Sequence, residues 1–352
     1  MDQIKDRSNL RTRIVELDAL RGLAVLMVVG FHYTERYQQI YGHSGPLLFS
    51  ITEGSFGVQL FFMISGFVIF MTLDHTSDYR DFIVSRFARL YPPYWAAVFI
   101  TYSIVTIFSL PGRDVSLSAA VVNLSMFQEW LKVRHVDGVY WTLSLELAFY
   151  TIMLLLLLLK CLRSIGIVCV GWLLIMTIVY AIEQRFQIRL PGILKTTFLL
   201  NYANLFIAGI MFYKLYRRDE VMKTSLILCC ALLVEFILHG QKSGLICCFL
   251  GFIFYNVVKR PCSLSKGLLL RPFIFLGTIS YSFYLIHQNV GYAVLRILYA
   301  NNLTPLSAIS VTFLAMLILA TVMNIWIEGP ARKMIRLYWK NKRFNGVSEV
   351  HV

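Results

Sequence analysis

Residues 16–32 read Glu-Leu-Asp-Ala-Leu-Arg-Gly-Leu-Ala-Val-Leu-Met-Val-Val-Gly-Phe-His, from Glu16 to His32. An apolar run of this length, charged only at its start, predicts a membrane helix with a histidine at depth. At ~100° and ~1.5 Å per residue, the eleven steps from Arg21 to His32 come within about 20° of three full turns. The two side chains then share a face roughly 16 Å apart. Asp18 falls on the same face, three residues before Arg21, and is expected to pair with it. An ionisable group inside a membrane helix is costly and tends to face a protein interior or a wet cavity, where it serves function. For His32 taken alone, a structurally satisfied histidine is the competing reading.

The composition agrees with a membrane setting. The chain has 352 residues, 58% of them hydrophobic and 15% charged, with a mean hydropathy of +0.66. Soluble domains average nearer 45–50% apolar and about 25% charged. The excess charge of +14 does not point to nucleic acid, because Lys and Arg lie in short clusters between apolar spans, as membrane orientation requires. Seven cysteines show no Cys-x-x-C and no Cys/His pattern at metal spacing. They read as small apolar fillers, without disulfides and without a metal site. The basic start Lys5, Arg7, Arg11, Arg13 leads into a full-length span with no small-residue cleavage site behind it, so a cleavable signal peptide is not expected.

Apolar stretches long enough for a bilayer core fall at about 17–37, 55–73, 91–110, 139–159, 165–183, 193–213, 224–239, 243–258, 272–299 and 306–328. The fold class is therefore all-α, a polytopic membrane protein of about ten transmembrane helices. Placing both termini in the cytosol puts about 23 Lys and Arg inside and about 8 outside, the asymmetry the positive-inside rule demands. Residues 115–130 are too polar to span and are expected at the interface or as a re-entrant segment. No repeat, low-complexity tract or linker divides the chain. It reads as a single membrane domain over 1–352, with a core at about 14–330 and a basic cytosolic tail at 331–352.

Five stretches carry a resemblance. Arg13 to His32 has the spacing R-x-x-E-L-D-x-L-R-G-x-A, with a histidine eleven residues after the second arginine. Gly57-Val-Gln-Leu-Phe-Phe-Met-Ile-Ser-Gly-Phe67, Arg86-Phe-Ala-Arg-Leu-Tyr-Pro-Pro-Tyr-Trp95, Trp141-Thr-Leu-Ser-Leu-Glu-Leu-Ala-Phe-Tyr150 and Gly277-Thr-Ile-Ser-Tyr-Ser-Phe-Tyr-Leu-Ile-His287 follow in order. Together they resemble membrane acyltransferase family 3, the integral-membrane O-acyltransferases of surface glycans. The type is the standalone one, without a hydrolase-like extracytoplasmic domain. One departure is Gln59, at a position often acidic in that family.

The resemblance implies transfer of an acyl group, usually acetyl from acetyl-CoA, to a carbohydrate hydroxyl of a surface polysaccharide, O-antigen or lipid-linked sugar. It assigns His32 as the catalytic histidine and Arg21 as its partner. A sugar hydroxyl is a poor nucleophile and needs a base with a pKa near the working pH, which imidazole supplies. Histidine can also carry the acyl group itself as an acyl-imidazole, and the sequence leaves both routes open. Arg86 and Arg89, with Tyr91 beside them, form the expected donor site, since guanidinium groups match the phosphates of coenzyme A in bidentate geometry. Simple positive-inside anchoring is the competing reading for both arginines. Pro92 and Pro93 suit the start of the third span.

Glu146 falls about two turns into the fourth span, and Tyr150 one turn further on the same face. Glu146 either orients a histidine, stabilises an imidazolium or binds acceptor hydroxyls; a structural salt bridge to Arg296 is the alternative. His287 in the middle of the ninth span, with Tyr284 one turn before it, forms a second wall of the substrate pocket, against the alternative of a histidine satisfied by a neighbouring helix. Asp18 supports Arg21. Gly57 and Gly66 permit close helix packing. The expected partners are acyl-CoA, a carbohydrate acceptor, the lipid bilayer and glycan-assembly proteins, with no nucleic acid. The expected location is the cytoplasmic membrane. No bound cofactor is required, because acetyl-CoA is a substrate. A transporter or flippase for a glycan or lipid-linked sugar is the rival class, since buried Arg, His and Glu also mark transport paths; a non-catalytic scaffold is a third.

Overall fold

The computed structural model describes residues 14–76, 78–259 and 271–348, with side chains to 343. Arg13, the rest of the basic start, and Arg260, Cys262 and Lys266 lie outside the described residues. Among the described residues all regular structure is helical. Six helical stretches are long and apolar enough to cross a membrane. Leu174, Ile178, Leu233, Phe252, Leu314 and Ile318 are more than half exposed on their outer faces. An apolar belt of that extent is stable against lipid, not water. The chain is a multi-pass membrane protein.

At the centre is α1 (Val15–Phe31), which packs against α10 (Arg271–Ile286) and α2 (Gly57–Asp74). The approach of α1 to α10 depends on two glycines. A β-carbon on Gly22 would overlap the Phe273 carbonyl, and one on Gly277 would overlap the Asp18 carbonyl. Gly66 does the same for α2 against the Phe206 carbonyl of α8 (Ala203–Arg217), and Gly57 against the Ala24 carbonyl of α1. Small residues at a membrane helix contact let backbones approach closely. Only 15 residues long, α8 is buried at every position from Ala203 to Tyr213, as a helix apolar all round must be.

Three expected spans are reshaped. The third begins at Tyr79, not at 91, and runs to Ile107 as α3. The Asp78 carboxylate caps it by accepting the Arg80 N–H at 2.9 Å. Pro92 and Pro93 therefore lie inside the helix and not at its start. Each proline withholds an N–H, so the carbonyls of Ala88 and Arg89 lose their i+4 partners. The sixth expected span divides into a single turn pair, α7 (Gly192–Thr197), and α8, with Leu199 at positive φ between them. The ninth is broken: α10 ends at Ile286, His287 and Gln288 are non-helical, and α11 (Asn289–Ala300) resumes.

The interface segment keeps only α4 (Leu117–Asn123) and a series of turns. It docks on α3, whose Tyr91 and Trp95 donate to the carbonyls of Ser125 and Leu124 at 3.1 and 2.9 Å. The fourth and fifth expected spans are α5 (Trp141–Leu158) and α6 (Ile165–Phe186). The next, α9 (Val221–Lys259), contains Gly240 at φ +83°. Ser243 donates to Glu235 at 2.6 Å across it, whereas a straight helix would hold them about 12 Å apart. The chain thus reverses into two antiparallel helices, in line with the two spans expected there. The last span, α12 (Pro305–Met323), continues through a π turn at Asn324–Glu328 into α13 (Gly329–Ser348). The basic tail is thus helical over 331–348, fastened to the start of α3 by Arg343 to Asp81 at 2.7 Å and Trp339 to Asp81 at 2.8 Å.

Candidate active site

His32 sits where α1 widens into a π turn over His32–Arg36, with the Tyr37 N–H bonded to the His32 carbonyl. Single π turns inside α-helices recur at functional sites. The imidazole Nδ1 lies 2.8 Å from the Val28 carbonyl and 3.3 Å from His287 Nε2. The nearby carbonyls fix the tautomers. Facing Val28 O, His32 Nδ1 carries the proton. Facing Tyr284 O at 2.7 Å, His287 Nδ1 does too. His287 Nε2 is then an acceptor toward His32, and His32 Nε2 keeps a free lone pair. If His32 gains a second proton, its Nδ1–H already points at two acceptors that stabilise the imidazolium.

The break in the ninth span holds His287 in place. Asn289 N–H, which would bond to Leu285 O in a continuous helix, donates to Asp137 Oδ2 at 2.9 Å. Tyr140 Oη donates to the vacated Leu285 carbonyl at 3.2 Å, and Tyr33 Oη to His287 O at 2.9 Å. The Asn289 side chain donates to Val136 O at 3.0 Å. Asp137, Asn289, Tyr140 and Tyr33 are all buried and none was singled out from sequence. The available signal was an Asp-Gly at 137–138 just ahead of a span, and an Asn two residues after a candidate histidine.

Three recesses divide the expected site residues. The first, of about 60 Å³, is lined by Arg21, Arg89, Glu146, Ser65, Ser280 and Tyr284, room for roughly four waters. Within it Arg21 pairs with Asp18 at 2.9 Å. Glu146 accepts from Ser65 at 3.3 Å and from the Tyr150 hydroxyl one turn away. The alternative pairing of Glu146 with Arg296 does not form: Arg296 lies over the Tyr41 ring, 5.5 Å from its centre. The distance follows from the break at 287–288, which carries α11 away from α5.

The second recess, of about 430 Å³, is lined by His32, Arg36, Gln59, Arg113, Trp141 and Gln288. Gln59 Oε1 and Gln288 Oε1 are buried acceptors without a partner, so this cavity offers unfilled hydrogen-bonding capacity beside the histidine pair. Tyr284 belongs to both cavities. Its hydroxyl is 2.8 Å from Thr142 Oγ1, and the two form the partition between them. His32 and Arg21 thus share a helix but line different cavities.

Arg86, Tyr91 and Tyr150 line the third recess, a lateral groove of about 480 Å³. The Arg86 guanidinium lies over the rings of Phe82 and Tyr150 at 5.8 and 5.7 Å, and its Nη1 has no partner. The two arginines expected to act together, one helical turn apart, line different spaces: Arg86 this groove and Arg89 the narrow cavity.

The family described as an acyltransferase domain matches residues 14–325, which include every residue of these recesses. The chain belongs to acyltransferase family 3. It is 26% identical, over 92% of its length, to a peptidoglycan O-acetyltransferase of Listeria monocytogenes, of which it spans 56%. It is 34% identical to an acyltransferase of Streptomyces mycarofaciens over 39% of its own length and 38% of that protein. The chain thus spans about half the length of the curated relatives it matches. No solved structure matches it. Two polar cavities therefore meet at Tyr284 within the matched domain.

Proposed function

We propose that this family 3 acyltransferase moves an acetyl group from acetyl-CoA to a hydroxyl of a surface polysaccharide, in the cytoplasmic membrane, with ten spans and both termini cytosolic. The observation that carries the reading is the hydrogen-bonded pair His32–His287, of which His32 lines the wider cavity and His287 is buried behind it. His32 Nε2 takes the acceptor proton as the sugar oxygen adds to the thioester carbon. The C–O bond forms, the C–S bond breaks, and the coenzyme A thiolate leaves with the proton returned from the imidazolium. His287 Nε2 and Val28 O steady the charge that His32 carries between the two proton transfers.

Arg21 and Arg89, lining the narrow cavity with Glu146, serve the donor. Arg89 and Arg86 sit near the Lys- and Arg-rich edge of α3, where phosphates approach from the cytosol, and Tyr91 braces that edge. Glu146, with Tyr150, offsets the two guanidinium charges when the donor is absent. Tyr284 and Thr142 bound the path of the thioester between the cavities. The acceptor class is supported by the Listeria relative, whose name specifies peptidoglycan, and by the neutral acceptors Gln59 and Gln288 at the histidine pair.

The test uses radiolabelled acetyl-CoA and membranes containing the chain. Alkali-labile label on glycan, lost in His32→Ala, is the expected result. Intact transfer in a folded His32→Ala variant overturns the role of His32. Cargo moved across vesicles without gaining label would favour the transporter class. A burst of free coenzyme A before any acceptor is added would replace the one-step route with an acyl-imidazole.

A further inference from the structure

Beyond the histidine cavity lies a cleft of about 400 Å³ whose lining includes Glu183, Gln184, Arg189, Asn201 and His239. That volume is within the ~300–1,000 Å³ of small-ligand sites. One pair of its charges is closed: Lys195 pairs with Glu183 at 2.7 Å, and the other Glu183 oxygen accepts the Leu190 N–H at 2.7 Å, while the Arg189 guanidinium stands exposed beside them. What remains toward the opening is mostly amide and imidazole, with Gln184, Asn201 and His239 exposed. The amides, the imidazole and the Arg189 guanidinium supply the donors and acceptors that a hydroxyl-rich ligand uses.

Aromatic rings connect the cleft to the site. Trp141 and Tyr202 line the His32 cavity, with ring centres 5.5 Å apart. Tyr202 in turn stacks on His239 of the cleft, 5.6 Å between centres and 15° between planes. Asn201, the neighbour of Tyr202, belongs to the cleft. A pyranose presents an apolar C–H face and an edge of hydroxyls, and a ribbon of rings flanked by amides matches both.

The wall is held firmly. Glu235, fully buried, takes hydrogen bonds from Asn204 at 2.7 Å and Ser243 at 2.6 Å and sits 3.2 Å from His239. Lys242, just past the Gly240 reversal, pairs with Glu53 at 2.8 Å. Two residues on from Glu53, Ser55 lines the His32 cavity. The reversal therefore fixes cleft and cavity relative to each other.

We propose that the cleft around Gln184, Asn201 and His239 is a second glycan subsite, holding the sugars next to the one acylated at His32. The acceptor is then a chain of linked sugars. This rests on the acceptor being a carbohydrate, as proposed above.

The experiment measures binding of N-acetylglucosamine and its β-1,4-linked tetramer to the full chain in lipid nanodiscs, together with label transfer from acetyl-CoA to each. The tetramer should bind about tenfold tighter than the monomer, a difference of about 1.4 kcal/mol. Gln184→Ala combined with Asn201→Ala, both exposed, should abolish the gain and leave monomer binding unchanged, which also reports that the variant is folded. Equal affinity for the two probes, no binding of the tetramer, or an unchanged tetramer affinity in the double variant overturns the subsite. Length-dependent binding without label on either sugar upholds the subsite and overturns the acceptor reading. Label on both sugars without a length preference does the reverse.

Discussion

The two cavities that meet at Tyr284 are built on opposite principles. The narrow one holds two guanidinium groups and a carboxylate, with Asp18 on Arg21 and Tyr150 and Ser65 on Glu146. The wide one holds the His32 imidazole, the guanidinium groups of Arg36 and Arg113 with no carboxylate among its described lining residues, two unpartnered amide oxygens and aromatic rings. Charges inside a membrane protein are tolerated when they are paired or wet, and the narrow cavity pairs them. In the wide cavity Arg36 donates to the Gln39 side chain and Arg113 lies over the Tyr292 ring, so its cations meet neutral partners. On the function proposed above, the difference separates the donor side from the acceptor side along one helix.

The sharpest way to break this contrast is His32→Ala. Removing a general base should cost about 10²–10⁴-fold in acyl transfer, read as label on glycan, with donor binding retained because the narrow cavity is untouched. A comparable loss of donor binding would mean that the cavities are not separable. Next, Arg89→Lys removes a bidentate contact and should raise the KM for acetyl-CoA about tenfold or more, leaving the acceptor KM in place; steady-state kinetics with each substrate varied checks it. Asp137→Asn should lower kcat by about tenfold with both KM values little changed, because an amide cannot accept from both Val139 and Asn289 without turning its NH₂ toward one of them, at ~1–3 kcal/mol for an unmet buried group. The smallest effect is that of Gly240→Ala. The added β-carbon meets no atom within 4 Å, so only the backbone at φ +83° and ψ 178° resists it, at about 1–3 kcal/mol; thermal unfolding in detergent would show that drop, with transfer to a single sugar preserved.

Much of this plan was legible in the sequence. The apolar run length gave the helices, and the i, i+3 spacing gave the pairing of Asp18 with Arg21. The i, i+4 spacing gave Glu146 with Tyr150. Gly57 and Gly66 read as packing positions and lie against the Ala24 and Phe206 carbonyls. These are local relations, fixed by the helical period or by the absence of a side chain. Pro92 and Pro93 misled because proline favours a helix start in isolation, whereas the Asp78 cap and the surrounding helices hold them inside α3.

By itself the sequence determined that this chain is a helical membrane protein, which residues carry its polar chemistry, and which of them are neighbours within a turn or two. Burial of 58% hydrophobic residues and the fixed rise of a helix leave little freedom there. Only the tertiary structure decided the rest. It brought His287 to His32 across 255 residues, put Arg86 and Arg89 into different spaces, and set Asp137 under the break that aims His287. Those relations depend on which helices pack together and where one of them stops, and a hydrogen bond from Asn289 to a loop carboxylate leaves no periodic trace in the chain.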